Sequence, residues 1–105
     1  MSELPQHLMI VSVRVDASVE ADWNRWYDDV HLPEILACPG FEAACRYVSE
    51  SADGRDYITV YRLASPQAIH GEEFNRRRGW YHYAPHVEAN VRLFTATNAS
   101  MPARS

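Results

Sequence analysis

WNRWYDDVHLPEILACPGF, residues 23–41, gathers two tryptophans, a tyrosine, a histidine and two prolines into nineteen positions. On a period of 3.6 residues, Trp23, Tyr27 and His31 fall on one stripe, with Val19, Trp26 and Val30 along its edge. Asn24, Arg25, Asp28 and Asp29 point outward. The pattern predicts one amphipathic helix that aims His31 inward, beside aromatic rings. An imidazole titrates near neutral pH, and against an apolar wall it can serve as a general acid or base. The plainer reading of a single inner-face histidine is a hydrogen-bonded core residue, so spacing alone does not assign catalysis. Pro33 and the Cys38, Pro39, Gly40 punctuation mark the end of the helix, and Pro33 predicts a kink or a separate turn over residues 32–37.

Working outward, HLMIVSVRV alternates with Met9, Val11, Val13 and Val15 on one face, which predicts a strand over residues 7–15. Asp16, Ala17 and Ser18 supply a turn and a helix N-cap, with Glu20 and Asp22 in the first turn where the helix dipole favours negative charge. After the helix, residues 41–48 alternate again, placing Phe41, Ala43, Cys45 and Tyr47 on one face and Glu42, Ala44, Arg46 and Val48 on the other. A polar connection at residues 49–55, with Asp53 and Gly54 at its tip, leads to a strand at 56–63 carrying Tyr57, Thr59, Tyr61 and Leu63 on its inner face. Ser65 and Pro66 start a second helix, a hydroxyl cap followed by proline at the first helical position, which runs to Arg78 and ends at Gly79. The aromatic stretch GWYHYAPHV precedes a last strand at 87–97, and the tail from Asn98 is read as loose.

The order β α β β α β predicts an α+β, ferredoxin-like fold: a four-stranded antiparallel sheet with both helices on one face. The opposite face would carry Leu8, Ile10, Ala44, Val48, Ile58, Val60 and Phe94. It is too apolar for water, which predicts that two sheets pack together in a homodimer. Arg14, Arg46, Arg62 and Arg92 are placed on that same face, one per strand, beside Glu42 and Glu88.

A chain of 105 residues reads as a single domain, with a core at about 7–97 and loose termini. The apolar runs are far too short to span a membrane and the N-terminus lacks a signal-peptide pattern, so a cytoplasmic protein is expected. Cys38 and Cys45 have no CxxC spacing and read as small buried hydrophobes. All ten basic residues are arginine and the net charge is −4. The absence of lysine removes side-chain Schiff-base chemistry. The acidic balance argues against nucleic acid, because phosphate binding needs a concentrated basic surface. The one basic cluster, Arg76, Arg77 and Arg78, reads as a solvated helix end ahead of an anion site.

The first strand, WYDDVHLP on the helix, CPGF, and the RY of the second strand together resemble the EthD-like families of the dimeric α+β barrel superfamily, over residues 8 to 96. The resemblance implies two ferredoxin-like protomers closing a barrel, each with a pocket between sheet and helices. It also implies that His31 matches the helix-one histidine that points into that pocket. Members include lyases, isomerases, polyketide cyclases, cofactor-free monooxygenases and haem-binding enzymes, so fold does not select the reaction. From periodicity, the pocket wall is expected to include Trp23, Tyr27, Cys45, Tyr47, Thr59 and Tyr61, with Trp80, Tyr83 and His86 in a loop closing the mouth. Such a lining suits a flat aromatic or polyketide-like carbonyl compound.

The favoured expectation is a cofactor-independent enzyme of lyase, isomerase or cyclase type. In it His31 moves a proton at a carbon next to a carbonyl, and Tyr47 or Tyr61 donates a hydrogen bond to the developing oxyanion. Strand tyrosines are also ordinary packing residues. His82 and His86 stand four apart, but Pro85 between them disfavours the helix that a shared metal would need, so no metal is expected. The alternatives are a haem-dependent or cofactor-free monooxygenase, with His82 or His86 as a possible axial ligand, and a non-catalytic binding or assembly module.

Overall fold

A computed structural model describes residues 3–103. Its strands are β1 (His7–Val15), β2 (Phe41–Ser51), β3 (Gly54–Leu63) and β4 (Val87–Thr95). They form one antiparallel sheet in the order β2-β3-β1-β4, the ferredoxin-like arrangement that the alternation predicts. Met9, Val11 and Val13 of β1 and Tyr57, Tyr61 and Leu63 of β3 are buried beneath the helices. The β2–β3 connection is tighter than expected: the strands pair out to Ser51 and Gly54, leaving Ala52 and Asp53 as a two-residue turn, and Gly54, which follows it, takes φ +117°. Among the described residues no helix is long and apolar enough to cross a membrane.

The first helical segment is continuous but not uniform. α1 (Glu20–Trp26) passes into a π turn (Tyr27–His31) and then into α2 (Leu32–Leu36). The Leu32 amide donates to the Tyr27 carbonyl, a five-residue step. Widening immediately before Pro33 is a physical response to a residue with no N–H to continue the ladder, and single π turns recur at functional sites. The inner stripe survives the widening: Trp23, Tyr27, His31, Ile35 and Cys38 are all buried, whereas Val30 is exposed. Ser18 does not cap the helix. Val19 occupies the cap with no side-chain bond, and backbone turns from Asp16 and Ala17 lead the chain in.

β2 departs from simple alternation at its start. Phe41 pairs with Leu63 and Ala43 with Arg62, so Glu42 and Ala43 together oppose one residue, a β-bulge. An extra residue exchanges the two faces of everything that follows. Ala44 and Arg46 therefore share the helix side with Tyr61 and Thr59, while Cys45 and Tyr47 share the opposite face with Val60 and Ile58. This corrects the expected inward placement of Cys45 and Tyr47 and the expected outward placement of Ala44, Arg46 and Val48.

The second helix is in pieces. Ser65 caps as expected, its hydroxyl accepting from the Gln67 amide at 3.2 Å, but the turn that follows is 3-10 (Pro66–His70). Gly71 is extended (φ −69°, ψ 147°) and separates it from α3 (Glu72–Arg77). A further 3-10 turn (Tyr81–His86) holds the aromatic stretch. These short pieces leave the inner side of β4 partly open, and Val91 and Leu93 are 47% and 41% exposed.

Candidate active site

The helix stripe, the sheet and the segment from Ile69 to Trp80 enclose a cavity of about 310 Å³, at the small end of pockets that hold organic ligands. Tyr27, His31 and Ile35 line it from the helix, Met9, Val11 and Tyr61 from the sheet, and Phe74 and Trp80 from the other side. The open stretch of β4, Val91 and Leu93, completes the wall.

His31 is 5% exposed. Its ring stacks on Trp26 (centroids 4.7 Å, 15° between planes) and meets Tyr27 edge-on at 5.0 Å and Trp80 at 5.6 Å. No hydrogen bond joins it to any of the described residues, so packing against rings sets its orientation. Burial disfavours the imidazolium and pushes its pKa down to about 4. At neutral pH the ring is uncharged and able to accept a proton.

Behind the cavity runs a chain of hydroxyls. Thr59 Oγ1 donates to the Tyr27 hydroxyl at 2.8 Å, and the Tyr27 and Tyr61 hydroxyls are 3.2 Å apart. With the Tyr27 oxygen accepting from Thr59, its own proton is free for Tyr61, which leaves the Tyr61 O–H available to the cavity. Burial, the largest cause, raises the pKa of both phenols, so each remains a donor at neutral pH.

Arg46, brought inward by the bulge, sits beneath this chain. Its guanidinium carbon lies 4.3 Å from the Tyr27 ring centroid and 5.0 Å from that of Trp23. It donates to Asp28 Oδ1 at 2.7 Å and to Asn24 Oδ1 at 2.8 Å, and Asn24 in turn donates to the Tyr57 hydroxyl at 3.1 Å. Its positive charge opposes, in part, the rise in pKa of Tyr27 and Tyr61.

The sequence matches the model of the family described as domain of unknown function DUF4286 over residues 6–92. The chain belongs to that family. No curated protein matches it. Among solved structures, this DUF4286 chain is similar to HapK from Hahella chejuensis, at 12% identity and a TM-score of 0.68 over 93% of this chain and 99% of that one. It is similar to SnoaB, a cofactor-independent oxygenase from Streptomyces nogalater, at 13% identity and 0.64 over 89% and 95%. It is similar to an EthD family protein from Bacillus halodurans, at 11% identity and a TM-score of 0.65 over 87% and 99%. These likenesses establish the fold, a ferredoxin-like α+β sheet, and support the EthD-like resemblance at the level of fold.

Of the residues singled out in the sequence, His31, Tyr27, Tyr61 and Trp80 meet at the cavity. Thr59 stands behind it, bonded to Tyr27. Trp23 is wholly buried one layer deeper, against Tyr27, Tyr57 and Trp80. Tyr83 is buried beside Trp26 at 5.5 Å and does not line the cavity. His86 is elsewhere: its Nδ1 lies 3.0 Å from Asp16 Oδ2, and its carbonyl accepts from the Asp16 amide at 2.9 Å, tying the β1 end to the β4 start. Cys45 and the half-exposed Tyr47 lie on the far side of the sheet. Among the described residues no group of three His, Cys, Asp or Glu side chains is placed to hold a metal ion. Sequence reasoning missed Arg46, because only the bulge brings it inward. It also missed Met9, Val11, Val91 and Leu93 as wall residues, although their inward register was already visible in the alternation.

Proposed function

We propose that this protein is a cofactor-independent small-molecule enzyme in which His31 accepts a proton from a carbon next to a carbonyl. The observation that carries the reading is a buried, uncharged imidazole without a hydrogen-bond partner among the described residues, set in the wall of an apolar cavity that also holds the Tyr61 phenol. As the proton leaves carbon, negative charge moves to the carbonyl oxygen, where a Tyr61 hydrogen bond stabilises it. A base with so depressed a pKa suits an already acidic carbon, such as one between two carbonyls in a polyketide-like compound. The cavity's size suits a compound of two or three fused rings in preference to a porphyrin.

Whether the enolate is reprotonated, eliminated, cyclised or oxidised is left to the substrate. Dioxygen is the second reading, supported by a fold shared with a cofactor-independent oxygenase. The working unit is a homodimer in which Leu8, Ile10, Ile58, Val60, Tyr47 and Phe94 on the face away from the helices pack against a second copy, a state that light scattering on the purified protein reads directly.

Deuterium exchange tests the chemistry. With flat aromatic 1,3-dicarbonyl compounds in heavy water, the protein should speed exchange at the carbon between the carbonyls, and His31→Gln should abolish the acceleration while folding normally. Equal acceleration by the folded variant overturns the reading.

A further inference from the structure

Beside the cavity mouth lies a more open groove lined by Arg76, Arg77 and Arg78 together with Glu34, and His31, Arg78 and Gly79 belong to both spaces. In a chain of net charge −4, five other arginines are each held by a carboxylate: Arg14 by Asp56, Arg25 by Asp22, Arg46 by Asp28, Arg55 by Glu20 and Glu50, and Arg62 by Glu42. No carboxylate among the described residues lies within ion-pair distance of the three in the groove.

The C-terminal dipole of α3 accounts for Arg76 and Arg77 as last-turn cations. It does not account for Arg78, which has left the helix with an extended backbone (φ −67°, ψ 157°). The Arg78 guanidinium carbon lies 5.6 Å from the ring of Phe74, itself a cavity wall residue, so the charge sits at the boundary between apolar interior and basic groove.

We propose that the substrate carries a carboxylate that Arg78 holds at the cavity mouth while its apolar body lies beside His31. Arg76 and Arg77 supply the attracting field. This rests on the reading of the cavity as the substrate site. A guanidinium fork matches a carboxylate in two parallel hydrogen bonds, and a cavity with an apolar floor and a cationic rim selects compounds that are flat and apolar at one end and anionic at the other.

The test compares 2-naphthoate with 2-naphthamide, nearly the same shape with and without charge, by calorimetry and by quenching of tryptophan fluorescence. In low salt the wild type should bind naphthoate on the order of tenfold more tightly, an advantage that added salt reduces. Arg78→Gln should remove most of the advantage, weakening naphthoate far more than naphthamide; Arg78→Lys, which keeps charge and loses the fork, should fall between. Circular dichroism checks that the variants fold. Absence of saturable naphthoate binding, equal affinity for the two probes, or an advantage surviving in the Arg76→Gln, Arg77→Gln, Arg78→Gln triple variant overturns the proposal. His31→Gln separates the two readings. A preference that follows Arg78 while exchange is indifferent to His31 keeps the carboxylate site and removes the proton transfer; the reverse pairing removes the carboxylate site alone.

Discussion

Arg46 lies over the face of Tyr27, the guanidinium carbon 4.3 Å from the ring centroid, on the side of the phenol away from the cavity. A cation so placed is attracted by the ring and also favours electron-rich oxygen further along the hydroxyl chain. The side chain is 13% exposed, and its Nε is buried without a partner among the described residues. Its two terminal nitrogens hold Asp28 and Asn24 at once, in the fixed fork geometry of a guanidinium.

Arg46→Met keeps most of the stem's packing and removes the charge. Because Asp28 is 60% exposed, water takes over its solvation, so the loss stays near 2 kcal/mol, from the cation–ring contacts and the hydrogen bond to Asn24. Arg46→Lys should recover less than half of it. Urea unfolding midpoints measure both. An Arg46→Met variant as stable as wild type would mean that the guanidinium only fills space.

The depressed pKa of His31 sets a pH dependence of stability. In the folded protein the ring titrates at about 4 and in the unfolded chain near the ordinary 6.5. Over that window the unfolded chain binds the proton and the folded one does not. The His31 contribution is therefore intact above pH ~6.5, declines as pH falls toward ~4 and levels off below, with a total loss of about 3 kcal/mol. Glutamine cannot titrate. The difference in unfolding free energy between wild type and His31→Gln should shift across this window, and a difference independent of pH would show that the imidazole is charged or solvated when folded.

The Thr59, Tyr27 and Tyr61 hydroxyls are expected to divide their effects. Tyr61→Phe removes the donor that faces the cavity and should slow any turnover on the order of 100-fold, with a stability cost of about 1 kcal/mol because the buried Tyr27 hydroxyl loses its acceptor. Thr59→Val removes a hydroxyl that never meets substrate and should cost about 1 kcal/mol of stability and a smaller part of the rate. Tyr47→Phe, on the other face of the sheet, should alter neither. Single-turnover rates beside thermal melts separate these outcomes, and a rate loss in Tyr47→Phe as large as that in Tyr61→Phe would contradict the facing given by the bulge.

That bulge shows where the sequence was legible and where it was not. Alternation placed β1 and β3 correctly because their inward residues, Met9 to Val13 and Tyr57 to Leu63, are large and apolar while the intervening positions are mixed. In β2 the residues about the bulge are Ala43 and Ala44, which fit either face, so nothing local announces that the period resets. Cys45, Tyr47 and Arg46 were consequently assigned to the wrong sides, and the aromatic bed for Arg46 exists only once three separate elements meet. The stripe Trp23, Tyr27, His31 was readable because burial at a spacing of four persists through the π turn. The breaks in the second helix were not, since Gly71 in a helical pattern signals weakness without saying that the chain turns extended. Nor could spacing show that His86 answers to Asp16, seventy positions away.

Gly40 closes the first helical segment against the 3-10 turn. Its φ is +87°, and a Cβ there would stand 2.8 Å from the Cβ of Ala68, while its carbonyl accepts from the Ala64 amide at 2.9 Å. Gly40→Ala meets two separate penalties, a left-handed backbone unfavourable to an L side chain and a steric overlap with a buried methyl. Together they should cost about 2–3 kcal/mol. Ala68→Gly relieves the overlap and not the backbone, so the double variant should regain part of the loss, and the coupling between the two positions measures the steric share. Independent effects in that cycle would place the whole penalty in the backbone. The result bears on the cavity as well, because Ala68 is adjacent to Ile69 of its wall, and a shift of the 3-10 turn should appear as weakened naphthoate binding in Gly40→Ala that Ala68→Gly partly restores.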